Sequence, residues 1–181
     1  TPVINGTFSV SAWAKVLVEQ PYQKQAAILG TQSPENGGFS MQFNSQMFIQ
    51  GVIGNGSNHW INSNAQYRID YKTNTWYHIV YVITPTKYTM YLNGVLVASD
   101  SYPVEIPIFS NSKHEIAIGN YRKSTGIDEA WFNGSIDDVM IFNRSLSADE
   151  ILGLYNATAI YHNETLVDGS HSLTAYSQDL A

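Results

Sequence analysis

Apolar and polar residues alternate along most of this chain with a period of two, which is the signature of strands rather than helices. Phe8, Val10, Ala12, Ala14 and Val16 alternate with Ser9, Ser11, Trp13 and Lys15, predicting a half-buried strand over 8–18 with Trp13 on its less apolar face. A turn around Pro21 follows. Ala26 to Thr31 is a short apolar strand, Pro34 to Gly38 a loop by its breaker residues, and Phe39 to Phe43 resumes the alternation, with Met47 to Ile53 pairing back across 44–46. Gly54 to Asn58 is a flexible loop, and His59-Trp60-Ile61 opens a polar-rich section that reaches Tyr71. Trp76 to Thr84 is the most apolar run and is expected to be a central strand; Pro85 ends it, because proline cannot donate to a ladder. The clearest hairpin is Tyr88–Leu92, Asn93-Gly94, Val95–Ala98, since Asn-Gly supplies the two positive-φ positions of a type I′ turn. Ser101 to Lys113 reads as an irregular crossing, Glu115 to Gly119 as a strand, and 120–133 as a loop long enough to carry function.

The alternation gives way to a different pattern after Gly134. Ile136, Asp138, Met140 and Phe142 alternate with Asp137, Val139 and Ile141, a strand with both faces partly covered. Ser147 and Glu150 then have the spacing of a capping box, in which the Ser hydroxyl accepts from the Glu150 N–H while the Glu carboxylate reaches back to the Ser147 N–H. Leu146 and Ile151 are placed to close a hydrophobic staple, and Ile151, Leu154 and Tyr155 share one helical face, so a short helix is expected near 147–155.

The run G-x-I-D-D-V-x-I-F-N-R-x-L-S-x-x-E-I-x-x-L-Y from Gly134 to Tyr155 resembles the C-terminal signature of laminin-G-like, concanavalin A-like jelly-roll domains, which are related to the pentraxins. Phe8–Trp13, Trp76–Tyr81, Met90–Val97 and Ile116–Gly119 support it in the family's order, so the resemblance covers roughly residues 8 to 156. It implies an all-β, two-sheet antiparallel jelly-roll sandwich that is extracellular, non-catalytic and often calcium-holding. The expected organisation is one such domain over 1–157 and a C-terminal extension over 158–181. In that extension, Asp168 to Ala181 resembles a strand of the immunoglobulin-like modules of microbial surface proteins; it either adds a strand to the sandwich or begins a neighbouring domain. An Asp-Gly strand usually precedes the position of Phe8 in the family, and Thr1 to Thr7 stand there instead.

Composition narrows the function classes. With nine basic and fifteen acidic residues and a net charge of −6, the chain lacks the basic face that phosphate neutralisation requires, which argues against nucleic acid. No apolar run reaches the roughly 18 residues of a membrane span, so direct membrane insertion is not expected. The absence of cysteine removes disulfides, thiolate nucleophiles and thiolate metal sites. Six N-x-[ST] acceptors, at Asn5, Asn55, Asn133, Asn143, Asn156 and Asn163, favour a secreted or cell-surface glycoprotein, beside the plainer reading of Asn-rich turns.

Two groups of residues are candidate sites. Trp60, Tyr67, Tyr71, Tyr121 and Trp131 lie in or beside polar loops and offer the flat apolar faces on which sugar rings stack. Asp137 and Asp138 supply hard oxygens of the kind calcium takes, and Asp128, Glu129 and Asn120 in the preceding loop could complete a calcium site of the kind the resemblance implies. The structural reading beside it has Asp137 satisfied by backbone N–H groups or by Arg144. Catalysis has little support: the histidines at 59, 78, 114, 162 and 171 lack metal-ligand spacing, no nucleophile elbow or phosphate loop is present, and the two adjacent acidic pairs would point to opposite sheet faces. The expectation is a non-catalytic recognition or adhesion module that binds glycan or a surface protein; the alternatives are a structural spacer and, remotely, a glycoside hydrolase.

Overall fold

The computed structural model describes residues 6–18, 25–30, 39–44, 48–54, 60–61, 66–68, 71–101, 116–122 and 128–158; at 60–61, 66–68, 121–122 and 128–129 it describes the backbone. The strands are β1 (Phe8–Val16), β2 (Gln25–Gly30), β3 (Phe39–Asn44), β4 (Phe48–Gly54), β5 (Trp60–Ile61), β6 (Gln66–Arg68), β7 (Trp76–Ile83), β8 (Lys87–Leu92), β9 (Val95–Ser101), β10 (Ala117–Ile118), β11 (Tyr121–Arg122), β12 (Asp128–Glu129) and β13 (Gly134–Phe142), followed by helix α1 (Ala148–Thr158). One antiparallel sheet has five strands in the order β13-β1-β7-β8-β9. The second has six, β10-β2-β3-β4-β5 with β6 also on β4, and β11 and β12 form a separate two-stranded ribbon. Together the two large sheets make an all-β jelly-roll sandwich with a single short helix. The 158–181 extension lies, beyond Thr158, outside the described residues.

Strand alternation sets the core. Phe8, Val10, Ala12, Ala14 and Val16 from β1, Ile79, Tyr81 and Ile83 from β7, and Tyr88 and Met90 from β8 face Ala26, Leu29, Phe39, Met41, Phe43, Ile49 and Ile53 of the other sheet. The Phe8 and Phe39 rings meet at 4.9 Å. β7 is central, as its composition predicts, with β1 and β8 on its two sides. The β8–β9 turn has Asn93 at φ 49° and Gly94 at φ 78°, the backbone that Asn-Gly tolerates best. Asn93 also ties the turn inward: its Oδ1 accepts the His78 N–H at 2.9 Å and its own N–H donates to the His78 carbonyl at 2.8 Å.

The outer face of β1 departs from the half-buried strand that alternation predicts. Ser9 and Ser11 are 0% and 1% exposed and Trp13 is 7% exposed, because α1 lies across this face. Ser9 makes the seal: its Oγ donates to the Arg144 carbonyl at 2.9 Å and accepts the Leu146 N–H at 3.0 Å. Under the helix, Val80, Val82, Tyr91, Leu146 and Ile151 form a second apolar cluster, with Phe142 and Leu154 packed against it. The five-stranded sheet is thus apolar on both faces although its sequence alternates.

The helix starts where the capping box places it. Ser147 Oγ accepts the Glu150 N–H at 3.2 Å, and Glu150 Oε2 accepts the Ser147 N–H at 2.8 Å. Arg144 closes on Glu150 at 2.7 Å; the Ser147 N–H first, and then Arg144, hold this carboxyl below the usual carboxylate range. Leu146 and Ile151 are both buried, which completes the staple. The helix runs to Thr158 rather than ending at 155, since Asn156-Ala-Thr contains neither Gly nor Pro to stop it. Ser147→Ala is expected to cost roughly 0.5–2 kcal/mol, read as a shift in the urea midpoint; an unchanged midpoint would show that the staple alone holds the helix start.

A second departure falls in β13. Its pairing with β1 runs Ser11↔Met140 and then Trp13↔Asp137, so one extra residue, Asp138, is inserted into β13. Asp138 sits at φ 45° and its N–H donates to Asp137 Oδ1 at 2.8 Å. The bulge shifts the alternation by one: Ile136 and Val139 both pack on the core, while Asp137 and Asp138 are both exposed. Strict alternation would have turned Asp138 inward, where an unpaired carboxylate is costly.

Candidate functional site

Four of the five aromatics proposed as a ligand surface fall on two flanks of the six-stranded sheet. Trp60 on β5 pairs with Gly54 and Tyr67 on β6 pairs with Ile49, so both border β4. Tyr121 pairs with Glu129 in the β11–β12 ribbon, and Trp131 follows it on the opposite flank, beside β2 and β10. Strands in a sheet are spaced about 4.8 Å apart, which puts the flanks roughly 15–20 Å from each other. One sugar ring cannot touch both. The remaining aromatic, Tyr71, is not a surface residue: it is 8% exposed and meets the Phe43 ring edge-on at 5.2 Å.

Trp131 is the described aromatic that faces solvent, at 63% exposure. Its backbone is held on both sides. The Ala130 carbonyl accepts the Ala27 N–H at 2.8 Å, and the Phe132 N–H donates to the Gly119 carbonyl at 2.8 Å. Phe132 points the other way, into the core, with its ring 6.0 Å from Phe43. That inward anchor fixes Trp131 outward. Ile118, on neighbouring β10, is 58% exposed and extends the apolar surface at this flank. Sequence alone placed Trp131 in a loop; its clamps, one to Ala27 of β2 and one to Gly119 after β10, join segments that no local pattern connects.

The acidic candidates are distributed differently from a preformed cage. Asp137 is turned to the outer face of the five-stranded sheet and its Oδ1 is engaged by the Asp138 N–H, the backbone satisfaction weighed above; Arg144 goes to Glu150 instead. Asn120 follows Gly119 beside β2, and Asp128 lies in β12 opposite Arg122. Ile136 is the residue of β13 that faces this region: a Cβ built on Gly119 would lie 3.8 Å from Ile136 Cδ1. Asp137, next in the strand, points to the opposite side. Among the described residues, no three His, Asp or Glu side chains gather as a metal site. Of the six acceptor asparagines, Asn133, Asn143 and Asn156 are exposed, at the two ends of β13 and on α1; Asn5, Asn55 and Asn163 lie outside the described residues.

Two polar arrangements were not singled out from the sequence. On the outer face of the six-stranded sheet, Ser40 Oγ donates to Gln42 Oε1 at 3.1 Å, and Gln50 Oε1 accepts from Gln42 Nε2 at 3.2 Å and Asn44 Nδ2 at 3.4 Å. Ser40, Gln42 and Gln50 are 0%, 1% and 6% exposed, so this row is spent on its own hydrogen bonds. The polar positions of the predicted 39–43 and 47–53 hairpin were its only signal. On the five-stranded sheet, Ser11 Oγ and His78 Nε2 are 2.9 Å apart, a nucleophile-and-base pair by residue type. Both are sealed beneath α1, and His78 Nδ1 has no carboxylate or other partner among the described residues. A substrate cannot reach this pair in the conformation described.

The sandwich, its C-terminal helix and the capping box are the features of a known family. The profile of the laminin G family described as the concanavalin A-like lectin/glucanases superfamily matches residues 1–152, and the chain belongs to that family. No curated protein matches it. Among solved structures, the carbohydrate-binding module CBM40 of the Ruminococcus gnavus IT-sialidase, bound to α2,3-sialyllactose, is similar with a TM-score of 0.68 at 13% identity, covering 83% of each chain. A native heptameric SAP-like pentraxin from Limulus polyphemus is similar with a TM-score of 0.63 at 17% identity, over 88% of this chain and 73% of that one. Domain 4 of the extracellular GH43 arabinanase AbnA from Geobacillus stearothermophilus, in complex with arabinotriose, has a TM-score of 0.61 at 20% identity, over 83% of this chain and 67% of that one. At these identities the likeness is one of fold.

Proposed function

We propose that this domain is a non-catalytic glycan-binding module of a secreted or cell-surface protein, and that its contact surface is the flank of the six-stranded sheet around Trp131. The observation that carries this reading is a tryptophan with 63% of its surface in solvent on a backbone clamped at both neighbours. An indole exposed at low conformational cost is suited to stacking on a sugar ring. The backbone of Tyr121 lies in the ribbon that leads into Trp131, paired with Glu129. Support also comes from the family and from neighbours whose solved complexes hold sialyllactose and arabinotriose. The six acceptor asparagines favour an extracellular setting. Calcium is a further element of the reading, with Asp128 and Asn120, whose backbones lie at this flank, as candidate oxygen donors.

The test is a glycan array probed with the wild type and Trp131→Ala, each with calcium and with chelator. Binding to a defined glycan class is expected, with about a ten-fold or greater loss in the variant, equivalent to about 1.4 kcal/mol. Equal binding by both proteins would move the site away from Trp131. No binding to any glycan in either condition would leave the spacer reading. A signal that survives chelator would remove calcium from the proposal.

A further inference from the structure

The buried histidine of β7 points to a device that the glycan reading neither uses nor requires. His78 is 2% exposed, and its ring is 5.3 Å from that of Trp13 and 5.9 Å from that of Tyr155 on α1, which are themselves stacked at 5.8 Å. Nε2 is matched with Ser11, while Nδ1 is buried without a partner among the described residues. A neutral ring can leave Nδ1 as a bare acceptor at modest cost. A protonated ring would bury an unpaired N–H and a charge.

We propose that α1 is an acid-released latch: neutral His78 lets the helix close over the outer face of the five-stranded sheet, and protonation of His78 favours the state in which the helix is lifted from it. Among the described residues, no acceptor is placed to stabilise the cation at Nδ1. Facing the ring are Ser11 and Trp13 from β1 and Tyr155 from α1, while Asn93 from the turn after β8 engages the His78 backbone. Among the described residues, the charged side chains on the same sheet face include Lys15, held over Trp76 at 4.9 Å, Asp137, which pairs with Trp13 on the far side of β1, and Lys87 at the opposite end of β8 from Asn93. Asp149 and Glu150 sit in the first helical turn, with Glu150 engaged by Arg144. Tyr155 is in the last turns, so the helix lifts from its C-terminal end.

The direction follows from proton binding. Burial lowers the ring's pKa from 6.5 to about 4 when the helix is closed, and wetting restores the ordinary value. The lifted state therefore binds more protons between these limits, and acid favours it. Between pH 7.5 and pH 5 the lifted population should rise about thirty-fold.

Hydrogen exchange on the full chain tests this. After correction for intrinsic rates, opening of the 146–158 amides relative to the 39–44 amides is expected to rise about thirty-fold over that range in the wild type and to stay flat in His78→Gln. A flat wild-type ratio, or the same rise in the variant, would overturn the latch. Tyr155→Ala keeps the titrating group and removes its cover; the His78 ring titration followed by NMR should then move from about 4 toward 6.5. An unmoved midpoint would show that α1 does not control this histidine.

Discussion

Gly51→Ala is expected to destabilise the fold by about 3 kcal/mol or more. Gly51 lies on the inner face of β4, opposite Met41, and the Tyr81 ring of the facing sheet rests directly on its Cα. A Cβ built there would meet three atoms of that ring, with Cε1 at 2.7 Å. Tyr81 cannot swing aside, because it is fully buried and its neighbour Tyr88 is 6.1 Å away, centroid to centroid. The two sheets would have to separate locally. A double-mutant cycle with Tyr81→Leu isolates the cause: removing the ring opens the space, so the double variant should be more stable than the sum of the single losses predicts. Strict additivity in chemical denaturation would show that the damage of Gly51→Ala comes from the backbone and not from the ring.

Ile151→Ala is expected to lower stability by roughly 2–5 kcal/mol, the range for truncating a buried large aliphatic side chain. Ile151 is 0% exposed and inserts among Val80, Val82, Tyr91 and Leu146. It is the deepest contact between α1 and the sheet, and the same residue closes the staple with Leu146. The loss should therefore exceed that of Ser147→Ala, which removes one capping acceptor and no packing. A loss below about 1 kcal/mol, the usual size of a cap, would mean that the helix is held by its termini and not by its buried face.

The parts of this fold that were legible in the sequence are those with local causes. The capping box at Ser147 and Glu150, the Asn93-Gly94 turn, and the inner faces of β1 and β7 each follow from residues within a few positions of one another. What escaped has non-local causes. Ser9 and Ser11 alternate like solvent-facing residues, and only a helix more than a hundred positions later in the chain buries them. The bulge at Asp138 changes the parity of β13 without changing its composition, so the core-facing position passes from Asp138 to Val139. Of the candidate site, the sequence offers Trp131 as an aromatic beside polar loops, while its outward clamp depends on Gly119 and on Ala27, far from it in the chain. The separation of Trp60 and Tyr67 from Tyr121 and Trp131 follows from strand order, which period-two patterning does not carry.

The position of β1 between β7 and β13 bears on how the chain is made. β1 leaves the ribosome ahead of both its partners: one edge cannot be filled until β7 emerges and another waits for β13, and the hydrogen bond from Ser9 to Arg144 spans 135 residues. At about 5–20 residues per second, that delay is on the order of ten seconds. During it the nascent β1 presents a row of five apolar side chains and an unpaired backbone edge, while β2, β3 and β4 can already pair as local hairpins. Nascent chains stalled between residues 101 and 134 should therefore be the ones that recruit holdase chaperones most strongly, and stalls that expose α1 should release them.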